Sequence, residues 1–245
     1  MTPSRRAGRV RRMVTTRAGG VSRAPYDSFN LGDHVGDDPT AVVANRERLA
    51  TVLGLPSSRV VWMEQLHTRT VTVVDGPVEA PVPATDALVT ATPGLALAVL
   101  TADCVPILLS DDEAGVIAAV HAGRVGARIG ILPAVLAAMA DLGAEPARIG
   151  AWLGPAASGE RYEVPLAMQR DVEEHLPGSA CATAKGTAGL DLRAGLTGQL
   201  ARAGVERIWV DPRCTIGDTA LFSHRRTAPT GRIASVVWID PSAGE

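Results

Sequence analysis

Residues 94–121 read GLALAVLTADCVPILLSDDEAGVIAAVH. Three dense apolar runs follow one another here: Leu95–Leu100, Val105–Leu109 and Val116–Val120. They are short, partly β-branched and lack the apolar–polar alternation of a strand with one wet face, so each is expected to be a strand buried on both sides. Outward from this block, Val60–Met63 and Thr70–Val74 read as strands around a turn at Gln65–His67, and Ile149–Leu153, Arg207–Val210 and Ile233–Ile239 as further strands. Helical signals lie between them: Gly126–Leu142, where Pro133 marks the start or a kink, Leu166–Leu176 and Asp191–Ala203. The mixture predicts an α/β or α+β layered fold, and no Pro/Ser-rich linker or charge block divides it.

The segment Thr15–Pro39 is a Gly- and Asp-rich loop of few apolar residues. A loop of that length inside a compact domain is usually functional. Asp38-Pro39 then opens a helix, with Asp as N-cap and Pro at the first position. Val42/Val43, Leu49/Ala50 and Leu53 form its apolar face, and Arg46 falls at the same spacing. An inward arginine needs an anionic or polar partner, either an internal carboxylate or a ligand's phosphate or carboxylate.

The 245 residues are 46% hydrophobic and 20% charged, enough for a substantial core. A formal net charge of −2 argues against general nucleic-acid binding. The five arginines between Arg5 and Arg12 are a local exception, read as part of a flexible basic arm over residues 1–12. The longest apolar stretch, Gly94–Leu109, is interrupted by Asp103 and Pro106, so no membrane span is expected. No apolar segment follows the N-terminal arginines, and three cysteines make no disulfide framework, which points to a reducing cytoplasm.

His67, Cys104 and His121 each lie at or just after a strand-like run. Taken singly, a His or Cys is more often structural. Together, one thiolate and two imidazoles make a three-donor set that suits Zn²⁺ and leaves a fourth position open. Copper also accepts such donors, but a multicopper oxidase needs many more histidines than the five present. Alternatively, Cys104 is a nucleophile with His121 as its base. Gly123 and Gly126, in the turn after His121, permit close approach of an anion to a helix start. Asp103 is read either as the carboxylate that steadies a ligating histidine or as a strand-end cap, and Asp86 as the same with a structural bias. His34 is read as a loop or substrate-contact residue, His224-Arg225-Arg226 as a solvated loop or a basic rim to a pocket, and His175 as helix surface. Cys181 and Cys214 carry no chemistry.

Several ordered motifs extend beyond this set. They are TTRAGGVS (15–22), PYDSFNLGDHVGDDP (25–39), ANR (44–46), QLH (65–67), DALVT (86–90), LTADCVPILL (100–109), VHAG (120–123), GP (154–155), RYEVP (161–165), FSHRR (222–226) and GR (231–232). Together they resemble the YfiH-like laccase-domain family, also known as polyphenol oxidase or peptidoglycan editing factor. The resemblance spans about residues 13 to 240. It implies an α+β fold, a single α/β/β/α sandwich with mixed β-sheets that here would occupy residues 13–245. It also implies a Zn²⁺ site of His67, Cys104 and His121, and phosphorolysis of adenosine, inosine, guanosine and methylthioadenosine with adenosine deamination as a companion.

On this reading Cys104, His67, His121 and Asp103 are the catalytic candidates. Asn30, His34, Arg46, Gly123 and Arg124 are the substrate-binding ones. The partners are a purine nucleoside and phosphate, without nucleic acid or membrane, for a monomer or weak homo-oligomer. A non-enzymatic alternative is cell-wall precursor editing or a division-linked partner. The chain departs from the family pattern after His121, reading HAGRVG where HAGWRG is common. Arg124 and Val125 stand in the Trp-Arg positions, QLH replaces QVH, and His224 stands where Tyr is usual.

Overall fold

The computed structural model describes residues 9–241. Its strands are β1 (Arg9–Val14), β2 (Val60–Val61), β3 (Val71–Val73), β4 (Ala87–Thr90), β5 (Ala96–Thr101), β6 (Val105–Asp111), β7 (Val116–Ala122), β8 (Gly150–Leu153), β9 (Ala180–Ala182), β10 (Ala188–Leu190), β11 (Arg207–Val210) and β12 (Ile233–Asp240). Its helices are α1 (Pro39–Leu53), α2 (Arg124–Arg128), α3 (Ile131–Asp141), α4 (Leu166–His175) and α5 (Leu192–Arg202). Four strands form one sheet in the order β1-β12-β5-β2, and six form another in the order β11-β8-β6-β7-β4-β3. Both sheets are mixed: β2–β5, β3–β4 and β8–β11 pair in parallel, the remaining neighbours antiparallel. A small antiparallel pair, β9–β10, stands apart.

The period-2 alternation of the strands sorts most of their side chains into three cores, with a smaller cluster around Phe222 and Ile233. In β5, Leu97 and Val99 join Leu108 of β6, Ile117 and Ala119 of β7 and Val237 of β12 in one cluster, so these faces meet between the sheets. The opposite face of β5, Ala96, Ala98 and Leu100, packs with Leu49, Ala50 and Leu53 of α1. The opposite faces of β6 and β7, including Ile107, Leu109, Ala118 and Val120, pack with Ile131 and Val135 of α3 and Leu196 of α5. The layer order is therefore helix, sheet, sheet, helix: the α/β/β/α sandwich. Each fully buried Leu or Ile in these layers contributes about 1.5–3 kcal/mol. The central runs lack a polar face because each β5, β6 and β7 strand is covered twice.

Two chain passages lead from the four-stranded sheet to the six-stranded one, from β2 to β3 and from β5 to β6. Since β2 and β5 are neighbours, both passages leave the four-stranded sheet at the same end. The first carries His67 and the second Cys104. Strand β7 runs antiparallel to β6 with His121 opposite Pro106, so its end returns beside the Cys104 turn.

Three local expectations are corrected. Arg9–Arg12, placed in a flexible arm, form part of β1 and pair with Val237–Asp240 of β12; residues 1–8 of that arm lie outside the described residues. The single helix expected over 126–142 is two helices. It breaks at Gly130, whose φ of 89° suits glycine, and Pro133 sits in the first turn of α3, where no backbone N–H is required. On α1 the Asp38 cap forms as expected, its carboxylate accepting from Thr40 N, but Val43 is exposed and the inner face carries Asn45 instead. Asn45 binds the 15–39 loop: its amide donates to Ser22 Oγ and to the carbonyls of Ser28 and Asn30, and its oxygen accepts from Val21 N.

Candidate metal centre and its cavity

His67, Cys104 and His121 converge, with one donor atom from each within 4.8 Å of the others. Cys104 Sγ lies 3.7 Å from His67 Nε2, and the two imidazole centroids are 4.7 Å apart at 78°. Tetrahedral Zn²⁺ with bonds of roughly 2.0–2.3 Å places an S and an N ligand about 3.5 Å apart. The donor set and its spacing therefore fit a zinc-sized ion held by one soft and two borderline ligands, and they do not distinguish zinc from copper.

Three devices hold these donors. His67 has φ 61°, a left-handed conformation uncommon outside glycine. The Asp86 carboxylate stabilises that turn by accepting from the backbone N–H of Leu66, His67 and Thr68 and from Thr68 Oγ1. The same carboxylate accepts from His121 Nδ1 at 2.8 Å, which leaves Nε2 as the free donor of that buried ring. Gln65 pins the turn to β5: its amide donates to Leu100 O at 2.7 Å and its oxygen accepts from Leu100 N at 2.8 Å. At Gly123 a Cβ would lie 2.5 Å from His67 Cδ2 and 3.1 Å from Cys104 Sγ. Glycine is thus required there by contact with two of the donors.

The electrostatics favour a charged pair. Burial opposes the Cys104 thiolate, but the His121 imidazolium and the hydrogen bonds of both histidines outweigh it and lower its pKa to about 6. For His121, burial opposes the cation while the Cys104 thiolate and Asp86 raise its pKa to about 9. Burial also works against the Asp86 carboxylate, yet His121 and Thr68 hold it down at about 2.

These residues open onto a cavity of about 350 Å³. Four of the five histidines reach it, His34, His67, His121 and His224, together with Arg124, Arg225 and Arg232. Asp103, φ 99°, also lies on its wall, but its oxygens accept from Thr215 Oγ1 and Arg225 N, both at 2.6 Å. The histidine-steadying carboxylate is therefore Asp86, and Asp103 instead ties the 222–226 loop to the site. Asn30 is wholly buried and joins Gly32, Asp37 and Arg232 by hydrogen bonds. Arg46 lies outside the lining. It pairs with Asp33 at 3.1 Å, donates to Leu31 O and stacks over Trp62 at 4.3 Å. The His224-Arg225 pair forms a basic rim, while Arg226 turns away to the carbonyls of Thr215, Asp218 and Leu221. Sequence reasoning had not singled out Tyr162, Gln65 and Arg232 as cavity residues.

Residues 11–240 match the family model described as multi-copper polyphenol oxidoreductase laccase. The chain belongs to this laccase-domain family. Laccase-domain relatives include a protein named purine nucleoside phosphorylase in Corynebacterium glutamicum, 63% identical over 239 residues and covering 96% of each chain. Another of that name, in Mycobacterium tuberculosis, is 61% identical over 232 residues, 95% of this chain and 93% of the relative. Among solved laccase-domain structures, YlmD from Geobacillus stearothermophilus superposes with a TM-score of 0.89 at 34% identity, covering 98% of this chain and 94% of that one. YfiH from Bacillus licheniformis gives 0.87 at 30% identity, covering 94% and 93%. The YfiH-like sandwich expected from the motifs is the fold of this laccase-domain protein. No helix among the described residues is long and apolar enough to cross a membrane.

Proposed function

We propose that this chain is a zinc-dependent purine nucleoside phosphorylase, acting on adenosine, inosine, guanosine and methylthioadenosine, with adenosine deamination at the same centre. The observation that carries this reading is the convergence of three donors within 4.8 Å on the wall of a cationic cavity. The names of relatives more than 60% identical to this chain support the reaction class. A volume of about 350 Å³ falls among small-molecule sites, roughly 300–1,000 Å³.

Zinc bound there would supply positive charge to stabilise an oxygen that gains negative charge. The protein's own residues do the rest. Asp86 keeps His121 in the tautomer that presents Nε2, and the Gln65 clasp keeps His67 facing Cys104. Arg124, Arg225 and Arg232 give the wall the charge that an incoming phosphate requires. His34 and His224, exposed at the rim, are placed to deliver a proton to the departing purine; Asp103 is committed to Thr215 and Arg225. The test is release of free base from inosine or adenosine with and without phosphate. Turnover is expected to require phosphate and to be lost in Cys104→Ala. Undiminished turnover in that variant removes the proposal.

One observation favours a second reading. Cys104 Sγ stands 3.7 Å from His67 Nε2 and within 4.8 Å of His121, whose charge favours the thiolate, an arrangement that serves a Cys–His nucleophile as well as a metal ligand. Zinc-loaded protein is expected to resist iodoacetamide at Cys104. Rapid labelling of zinc-replete protein would favour the nucleophile.

A further inference from the structure

Among the described residues none of the three cavity arginines, Arg124, Arg225 and Arg232, forms an ion pair, and of these Arg232 is the one whose burial lowers its pKa. Arg232 immediately precedes Ile233, which pairs with Thr101 of β5, so the strand register sets it beside the Thr101–Cys104 turn. Its side chain is held in place from several directions. The backbone N–H donates to Asn30 Oδ1 at 2.8 Å, and Nη1 donates to the carbonyls of Thr230 and Gly231 at 3.0 and 3.1 Å. Its stem lies against Gly32, where an added Cβ would stand 2.8 Å from Arg232 Cγ.

Among the described residues no carboxylate forms an ion pair with Arg232. The groups close enough to stabilise it are Cys104, Asp103 and, least, the phenol of Tyr26, which is neutral at pH 7. The two acids of the three are already engaged, Cys104 with the two imidazoles and Asp103 with Thr215 and Arg225. Burial lowers the Arg232 pKa, the mark of a cation short of compensation. Buried charges are ordinarily paired. The Nη1 bonds leave Nε and Nη2 without a protein acceptor among the described residues, and that pair is the edge of a guanidinium that grips two oxygens of one phosphate.

We propose that Arg232 is the phosphate-binding residue of this cavity, its Nε–Nη2 edge donating to two oxygens of inorganic phosphate. The assignment rests on the phosphorolysis reading. It gives to Arg232 one of the two roles left open for Arg46, which takes the other, an internal carboxylate, in Asp33. Arg124 and Arg225 share the wall and add positive potential to the same space.

The test uses the zinc-loaded full chain, with inorganic phosphate titrated by calorimetry and, in parallel, separate KM values for phosphate and nucleoside. Arg232→Gln is expected to weaken phosphate binding about 30-fold while the nucleoside KM stays within about twofold. Arg232→Lys should recover part of the loss, because charge returns without the fork. Gly32→Ala, which displaces the stem but keeps the guanidinium, should also raise the phosphate KM, and it serves as the decisive variant if Arg232→Gln does not fold. Unchanged phosphate affinity in Arg232→Gln, or in folded Gly32→Ala and Arg232→Lys together, overturns the assignment. If wild-type protein turns over no nucleoside, the phosphorolysis reading fails, while the phosphate titration still judges Arg232. If turnover is present and Arg232→Gln keeps its phosphate affinity, the assignment of Arg232 falls alone.

Discussion

Asp86 accepts hydrogen bonds from two of the three metal-donor segments: three backbone N–H groups and a hydroxyl around His67, and the ring of His121. A carboxamide in its place keeps the shape but turns one acceptor oxygen into a donor facing donors. Asp86→Asn is therefore expected to weaken zinc binding about 10–100-fold, read as the chelator concentration that strips half the metal. Gly123 presents the steric counterpart. Two donors lie within 3.1 Å of the position a Cβ would occupy, and neither can retreat, since His67 is held by Asp86 and Gln65. Gly123→Ala should yield folded protein with little bound zinc and kcat/KM reduced about 100-fold, measured by metal analysis and nucleoside assay on the same preparation. Full zinc occupancy in this variant would show that the donors are less tightly confined than their distances state.

At the scale of the element, strand ends carry the commitments. Asp111 closes β6 wholly buried, and its carboxylate accepts from the N–H groups of Glu113, Ala114 and Glu145 and from Arg148. Burial alone would raise its pKa, but those donors hold it below the usual carboxylate value. A lowered folded pKa contributes stability that is present above the unfolded value, about 3.9, and is lost as pH falls through the folded one. Asp111→Ala should cost about 3 kcal/mol at pH 7, from several donors left unsatisfied, and the Tm gap from wild type should narrow as pH drops below about 4. An unchanged gap at pH 3 would place the carboxylate's contribution elsewhere.

Elements also separate what was legible in the sequence from what was not. Strands β5, β6 and β7 could be read because two covering layers confine polar residues to the strand ends. Strand β1 could not, because an edge strand with Arg11 on its open side looks like a basic arm until β12 pairs with it. Strands β9 and β10, three residues each and rich in Ala and Gly, offer no side-chain pattern at all. The three donors were legible as strand-end residues of the right type. Their supporting carboxylate stays open in the sequence between Asp103 and Asp86, with Asp86 given the structural bias, because Asp103 is adjacent to Cys104 in sequence whereas Asp86 reaches His121 through cross-strand register. Antiparallel pairing of Ala87 with Val120 sets Asp86 beside His121, and no local pattern encodes that register. Positive φ at Asp103 turns its carboxylate toward Thr215 and Arg225. Arg232 was hidden for the same reason, being far from the donors in sequence and brought to them by the β12–β5 pairing.

For the whole molecule, the donors sit where the chain passes between layers. His67 lies on the passage from β2 to β3, Cys104 on that from β5 to β6, and His121 on β7 of the six-stranded sheet. An ion gripping all three ties the two sheets together at one end, and the unfolded chain has no such site. Binding to the folded state alone stabilises it by about 2.7 kcal/mol at a metal concentration one hundred times Kd. For a chain of this size that corresponds to a rise in Tm of roughly 5–10 °C. Thermal unfolding with excess zinc and with a chelator should differ by that margin in wild type. The difference should vanish in Cys104→Ser and persist in Arg232→Gln, whose defect belongs to the anion and not to the metal. Equal melting temperatures for zinc-loaded and stripped wild-type protein would mean that the ion bridges nothing the fold has not already joined, and the two inter-sheet passages would then owe their convergence to packing alone.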